Sequence, residues 1–73
     1  MTYPYVIKTK EDLLKISTLA CEEDFPVYIS ANSTMIDAKS LLALFTILGK
    51  EVNLVAPDHV ASEKFSQFIN KLK

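Results

Sequence analysis

The segment 27–36 constrains the fold more than any other part of the chain, because it predicts two strands joined by a tight turn. Val27–Ala31 alternates apolar and polar side chains, as a half-buried strand does. Asn32-Ser33 is suited to a two-residue hairpin turn, and Thr34–Ile36 then returns antiparallel. A hairpin makes its two strands antiparallel neighbours, so the segment favours a mainly antiparallel sheet over a small parallel one.

The first of three predicted helices begins at Thr9. A threonine N-cap with an acidic residue three positions later, Asp12, is close to a capping box. The buried face of this helix is predicted to fall at positions i, i+3, i+4 and i+7, which are Leu13, Ile16, Ser17 and Ala20. The helix is expected to end near Cys21, a residue that we expect to be a small buried hydrophobe.

Two further helices and two further strands complete the predicted order. The second helix is expected to start with Asp37 as N-cap and to stop at Gly49. The first and fourth strands are expected at Tyr5–Lys8 and Glu51–Ala56. The apolar stripe of the last helix consists of Ala61, Phe65, Phe68, Ile69 and Leu72. This βαββαβα order predicts a single α+β domain over residues 1–73, an open-faced sandwich with three helices on one face of a four-stranded sheet.

Composition excludes several classes of function. Eight lysines, no arginine and nine acidic residues give a net charge of −1, so we expect no nucleic-acid partner. The missing arginine also counts against phosphate recognition. One histidine and one cysteine cannot form a tetrahedral zinc site, and one glycine cannot form a phosphate-binding loop, so neither a metal nor a cofactor is expected. No apolar run reaches the length of a membrane span, and a cytoplasmic bacterial protein is the simplest expectation.

The chain resembles HPr, the histidine-containing phosphocarrier of the bacterial sugar phosphotransferase system. The resemblance covers almost the whole chain in the order of its elements, and it is carried by Asn32 in the hairpin and by Lys39-Ser40 ahead of an apolar helix. One departure is the connection after the second helix, which consists only of Gly49-Lys50 and is several residues longer in HPr. The resemblance implies an HPr-like fold.

The catalytic motif of the family is absent at the start of the first helix. In HPr a phosphorylated histidine caps that helix and an arginine follows two residues later. Here Thr9 occupies the histidine position and Glu11 the arginine position, while Asp12 replaces a proline. Two carboxylates in the first turn would repel a phosphoryl group. His59 is expected to be exposed at the opposite edge of the molecule. We therefore expect no enzymatic or phosphocarrier activity.

Two parts of HPr function do not need the histidine. The resemblance makes Ser40 a candidate for regulatory phosphorylation by HPr kinase, although serine is also simply common at helix starts. It also makes Leu41, Leu42 and Phe45 candidates for partner binding, with Leu44, Ile47 and Leu48 left for the core. A more buried helix, or self-association through it, would explain the same leucines. The implied partners are phosphotransferase-system or carbon-regulation proteins, namely enzyme I, HPr kinase or a transcriptional regulator.

Two other functions remain open from the sequence. The chain could be an active phosphocarrier in sugar transport that uses a non-standard residue. It could also be an unrelated small protein-interaction module, such as an anti-sigma antagonist, which likewise presents a helix-opening serine after an Ile-Asp step. At 73 residues the chain is short for that second fold.

Overall fold

The protein is an open-faced sandwich of one four-stranded sheet and three helices. The computed structural model describes residues 1–73. In chain order the elements are β1 (Thr2–Val6), α1 (Lys10–Glu22), β2 (Tyr28–Ala31), β3 (Thr34–Asp37), α2 (Leu41–Leu44) followed by a 3₁₀ turn (Phe45–Ile47), β4 (Glu51–Val55) and α3 (Ser62–Leu72). This is the βαββαβα order that the sequence predicts. No helix is both long and apolar enough to cross a membrane.

The strands lie in the order β1-β4-β2-β3, and every neighbouring pair is antiparallel. The ends of β1 define two opposite edges of the molecule, since Thr2 pairs with Val55 and Val6 pairs with Glu51. The β1–α1 connection therefore lies beside the start of β4, while the chain that follows β4 emerges at the other end. This arrangement confirms the predicted α+β fold with a mainly antiparallel sheet.

The core lies between the sheet and the helices. Alternate residues of β4, Val52 and Leu54, point into it, as the sequence predicts. The predicted face of α1 is buried in full, including the small polar Ser17. The largest fully buried side chains are Phe68, Ile7, Leu13, Ile16, Ile29, Leu44, Leu54 and Val27. Hydrophobic burial by this one cluster is the main source of stability available to so small a domain.

The hairpin between β2 and β3 has the predicted geometry. Asn32 and Ser33 have φ angles of 48° and 67°, both in the left-handed region that a two-residue type I′ turn needs. Asparagine tolerates this region better than most residues do. The turn places Ala31 opposite Thr34 and thereby sets the β2–β3 register.

The first strand begins and ends earlier than the sequence predicts. It spans Thr2–Val6 instead of Tyr5–Lys8. Backbone pairing already starts at Met1, whose carbonyl accepts from the Ala56 N–H at 2.9 Å. At the other end the Lys8 N–H donates to the Asp12 carboxylate, so that Lys8 belongs to the cap of α1.

The second helix is shorter than the sequence predicts. It consists of one α-helical turn at Leu41–Leu44 and the following 3₁₀ turn. Asp37 is not its N-cap: this residue ends β3, and its Oδ1 accepts the Lys39 N–H at 2.9 Å in a local turn. Leu48 has already left the helical conformation and is 43% exposed, so its predicted place in the core is wrong. Gly49, with φ of 85°, allows the chain to reverse into β4 as predicted.

Candidate functional site

The start of α1 carries a complete capping box. The Asp12 N–H donates to Thr9 Oγ1 at 3.3 Å, and the Thr9 N–H donates to Asp12 Oδ2 at 3.1 Å. Asp12 Oδ2 also accepts the Lys8 N–H at 2.9 Å. The carboxylate therefore takes up two backbone donors at the point where a helix N-terminus otherwise attracts an external anion.

The pKa values of Asp12 and Tyr5 are both shifted at this helix start. Hydrogen bonds from the backbone of Thr9 and then Lys8 hold the pKa of Asp12 below its ordinary value. The pKa of Tyr5 is raised, mainly by burial and further by the negative charge of Asp12. Asp12 is thus a stable anion next to Tyr5, and Thr9 Oγ1 is engaged as the cap. The arrangement suits helix stabilisation, and the lowered pKa of Asp12 makes its carboxylate a poor base for the Thr9 hydroxyl.

The single histidine lies at the other end of the molecule. Thr9 follows the end of β1 that pairs with Glu51, whereas His59 follows the far end of β4, whose last residue Val55 pairs with Thr2. A strand of five residues spans about 16 Å. His59 is exposed and cannot act together with the helix start.

The segment around α2 exposes apolar side chains. Leu42 is 86% exposed and Phe45 is 42% exposed, whereas Leu41 is half-buried. Leu44 and Ile47 are buried and anchor the segment to the core. One helical turn and one 3₁₀ turn cannot turn all of these side chains inward, and the outward ones remain in contact with water.

Two further residues extend this exposed surface. Leu14 of α1 is 43% exposed and lies on the flank of α1 away from Glu23, which forms a salt bridge with Lys71 of α3. Because α3 covers the Glu23 flank, Leu14 lies on the flank that faces α2. Leu48 follows Phe45 at i+3. We call Leu14, Leu42, Phe45 and Leu48 the α2 surface.

Leu14 was not among the residues predicted to form this surface. The exposure of Leu14 could have been predicted, because Leu13 and Leu14 are adjacent in a helix and only one of them can occupy the centre of the buried face. Cys21 was also assigned wrongly: it is a free, exposed cysteine. It lies one turn after Ser17, at the border of the buried face, and the smaller Ala20 occupies the core position.

Three lysines lie close in sequence to the α2 surface. Lys10 precedes Leu14 by one helical turn, Lys39 precedes α2, and Lys50 follows Leu48-Gly49. None of them forms a salt bridge, since the bridged lysines of the chain are Lys64 and Lys71 on α3. The Gly49 N–H donates to the Ile7 carbonyl at 2.7 Å, which holds Leu48 and Lys50 beside the β1–α1 connection.

Ser40 is the N-cap of α2, and its hydroxyl makes no capping hydrogen bond. The residue is exposed, and its N–H donates to the Asp37 carbonyl at 3.0 Å. The nearby Asp37 carboxylate is engaged by the Lys39 N–H. The Ser40 Oγ is therefore unbonded and exposed to solvent, in contrast to Thr9 Oγ1.

The comparisons with known proteins identify the fold. The sequence matches no protein-family model, and no curated protein matches it. In structure, the chain is similar to the crystal structure of HPr-C-His from Thermoanaerobacter tengcongensis, with a TM-score of 0.74. The match covers 99% of this chain and 90% of the other, at 15% sequence identity. The chain therefore has the HPr fold, a four-stranded antiparallel open sheet with three helices.

Proposed function

We propose that this chain is an HPr-like regulatory or adaptor domain that binds other proteins and does not carry phosphate on a histidine. Its partners would be proteins of the phosphotransferase or carbon-regulation network: enzyme I, HPr kinase or a transcriptional regulator. The observation that carries the proposal is the contrast between an exposed apolar α2 surface and a helix start whose hydrogen-bonding groups are already engaged.

The α1 start supports a role other than phosphotransfer. In the HPr family the phosphohistidine occupies the position of Thr9, and the only histidine of this chain, His59, lies at the opposite end. The Asp12 carboxylate already accepts the two backbone N–H groups of Lys8 and Thr9. An incoming phosphoryl group would have to displace this internal anion and would meet Glu11 beside it.

The α2 surface supports partner binding. Leu42 and Phe45 occupy the positions through which the family binds partners, and both are solvent-exposed in the free chain. Apolar side chains at the centre of a contact with charges at its rim are the usual anatomy of a protein interface. Lys10, Lys39 and Lys50 have no salt bridge of their own and supply part of a charged rim around these apolar side chains.

Ser40 supports a switch at the same surface. Its exposed hydroxyl precedes Leu41 and Leu42, so a phosphate there would add negative charge directly beside the apolar contacts. Lys39 would partly balance that charge. With only one α-helical turn following Ser40, the helix dipole contributes little, and the main effect would be on partner binding.

The first experiment tests the switch. Intact-mass spectra would be taken of the wild type and of Ser40→Ala after incubation with HPr kinase and ATP. The proposal expects one added phosphate on the wild type and none on the variant. An acid-labile phosphate transferred from enzyme I and phosphoenolpyruvate would instead make the chain an active phosphocarrier and overturn the proposal, because a serine ester is stable to acid.

The second experiment tests the surface. Binding of enzyme I would be measured by calorimetry for the wild type, Leu42→Glu and Met35→Glu. Met35 is a matched control, because it is also exposed and apolar but lies on the edge strand β3. We expect Leu42→Glu to weaken binding by about tenfold or more and Met35→Glu to leave it unchanged. Equal losses in both variants would place the contact elsewhere.

A further inference from the structure

A groove separates the edge strand β1 from α3, far from the α2 surface. It has a volume of about 440 Å³. Tyr3, Phe65 and Ile69 form its apolar floor, and the last two are buried members of the core. One wall is a polar side of α3 that carries Ser66, Asn70 and Lys73. None of these groups takes part in the proposed contacts with phosphotransferase proteins.

The other wall is an unpaired strand edge. In an antiparallel ladder alternate residues direct their backbone groups to the same side. Met1 exchanges both of its backbone hydrogen bonds with Ala56, so Tyr3 likewise faces β4 and Thr2 faces outward. The outward N–H and C=O of Thr2 are therefore open to another extended chain. Pro4 has no N–H, so this pairing cannot continue far along β1.

Among the side chains that line the groove, only that of Lys73 is charged. No acidic side chain lines it. Lys73 Nζ lies 5.5 Å from the centre of the Tyr3 ring and forms no salt bridge. A carboxylate in the groove would provide this cation with a partner beside an apolar floor.

The geometry points to a binding site for a short extended peptide that carries an apolar side chain and, two positions later, a carboxylate, since alternate residues of a strand face the same side. Its backbone pairs with the Thr2 edge, its apolar side chain lies on Phe65 and Ile69, and its carboxylate pairs with Lys73. This is strand addition to a sheet edge, in which the backbone gives affinity and the side-chain contacts give selectivity. Because Pro4 limits the ladder, the site holds only a few residues.

The test is a titration of the ¹⁵N-labelled protein with an acetylated valine-leucine-aspartate amide, followed by chemical shifts. We expect shifts confined to Thr2, Tyr3 and the groove side of α3. Lys73→Glu should weaken binding by about two- to fivefold, as expected for an exposed ion pair. Lys15→Glu on α1 makes the same charge change away from the groove and should leave binding unchanged. The matching valine-leucine-asparagine peptide should bind the wild type more weakly than the aspartate peptide does, but no more weakly than the aspartate peptide binds Lys73→Glu, where two carboxylates repel each other.

A second variant tests the groove itself. Ser66 is exposed, so Ser66→Phe should keep the fold, fill the groove and abolish the peptide-induced shifts. Shifts that are absent or scattered, or that persist unchanged in Ser66→Phe, would overturn the proposal. Groove resonances that move with protein concentration alone would show that a second copy of the chain occupies the groove, and this result would overturn it as well.

Discussion

The starts of α1 and α2 are two versions of the same junction, in which a strand leads into a helix. At α1 the threonine hydroxyl and the Asp12 carboxylate are both hydrogen-bonded, and the helix continues for 13 residues. At α2 the hydroxyl of Ser40 is unbonded, and the α-helix ends after four residues. Both capping side chains are engaged at the α1 junction, whereas the serine hydroxyl at the α2 junction stays exposed to solvent.

The comparison distinguishes a junction that contributes to the stability of the domain from one that is exposed for contacts with other molecules. The α1 junction is satisfied by its own residues and has no free nucleophile or anion site. The α2 junction is anchored from beneath by Leu44 and Ile47, while Ser40, Leu42 and Phe45 stay exposed. Contacts with another protein need groups of this second kind, because groups already engaged must first break their own bonds.

The largest expected effect concerns the anchor of α2. Leu44→Ala removes a fully buried side chain and should lower the free energy of unfolding by about 2–5 kcal/mol. Leu42→Ala, two residues away and exposed, should change it by less than about 0.5 kcal/mol. Urea unfolding followed by circular dichroism measures both. Equal effects would mean that Leu44 does not anchor α2 to the core.

The second effect compares the two N-caps directly. Thr9→Ala should destabilise the protein by about 1 kcal/mol, because it removes the acceptor of the Asp12 N–H. Ser40→Ala should cost less than about 0.5 kcal/mol, since its hydroxyl bonds to nothing in the cap. The same unfolding measurement decides this. A larger loss for Ser40→Ala would show that the Ser40 hydroxyl does cap α2.

A smaller effect appears on acidification. The pKa of Asp12 is lower in the folded protein than its ordinary value of about 4, so the unfolded chain binds the proton first. The contribution of Asp12 to the free energy of unfolding is therefore present above about pH 4 and is lost as the pH falls through the pKa of the folded protein. Asp12→Asn should flatten the loss of stability below about pH 4 relative to the wild type. Glu51→Gln, at an exposed carboxylate that forms no salt bridge, is the control and should leave the curve unchanged.

The smallest expected effect is at Cys21. Because this residue is exposed on α1, the folded protein should react with a thiol reagent at a rate close to that of the unfolded chain. Cys21→Ser should change the free energy of unfolding by less than about 0.5 kcal/mol. Strong protection of the thiol would show that Cys21 is buried, as the sequence suggests.

The parts of the fold that could be predicted from the sequence are those governed by local chemistry. The Asn32-Ser33 turn follows from residues that tolerate positive φ. The capping box follows from Thr9 and Asp12, and the buried face of α1 follows from its periodicity. In the candidate site, exposure of Leu42 and Phe45 was predictable because an arc of apolar residues so wide cannot be buried by one sheet.

The remaining features depended on contacts between distant residues. Asp37 was expected to cap α2, but pairing with Tyr28 keeps it in β3. The apolar run 41–48 reads as one continuous helix, yet the short connection to β4 requires the chain to turn at Leu48-Gly49, where Gly49 bonds to Ile7. Leu14 joined the α2 surface only because α3 covers the opposite flank of α1.

The sequence by itself thus determined the order of the elements, the hairpin and the cap of α1, since each of these is decided by residues within a few positions of one another. Only the tertiary structure decided the length of α2, the position of β1, the exposure of Cys21 and Leu48 and the groove beside α3. Those features depend on which distant segments share the core and the sheet edge, and a local pattern does not contain that information.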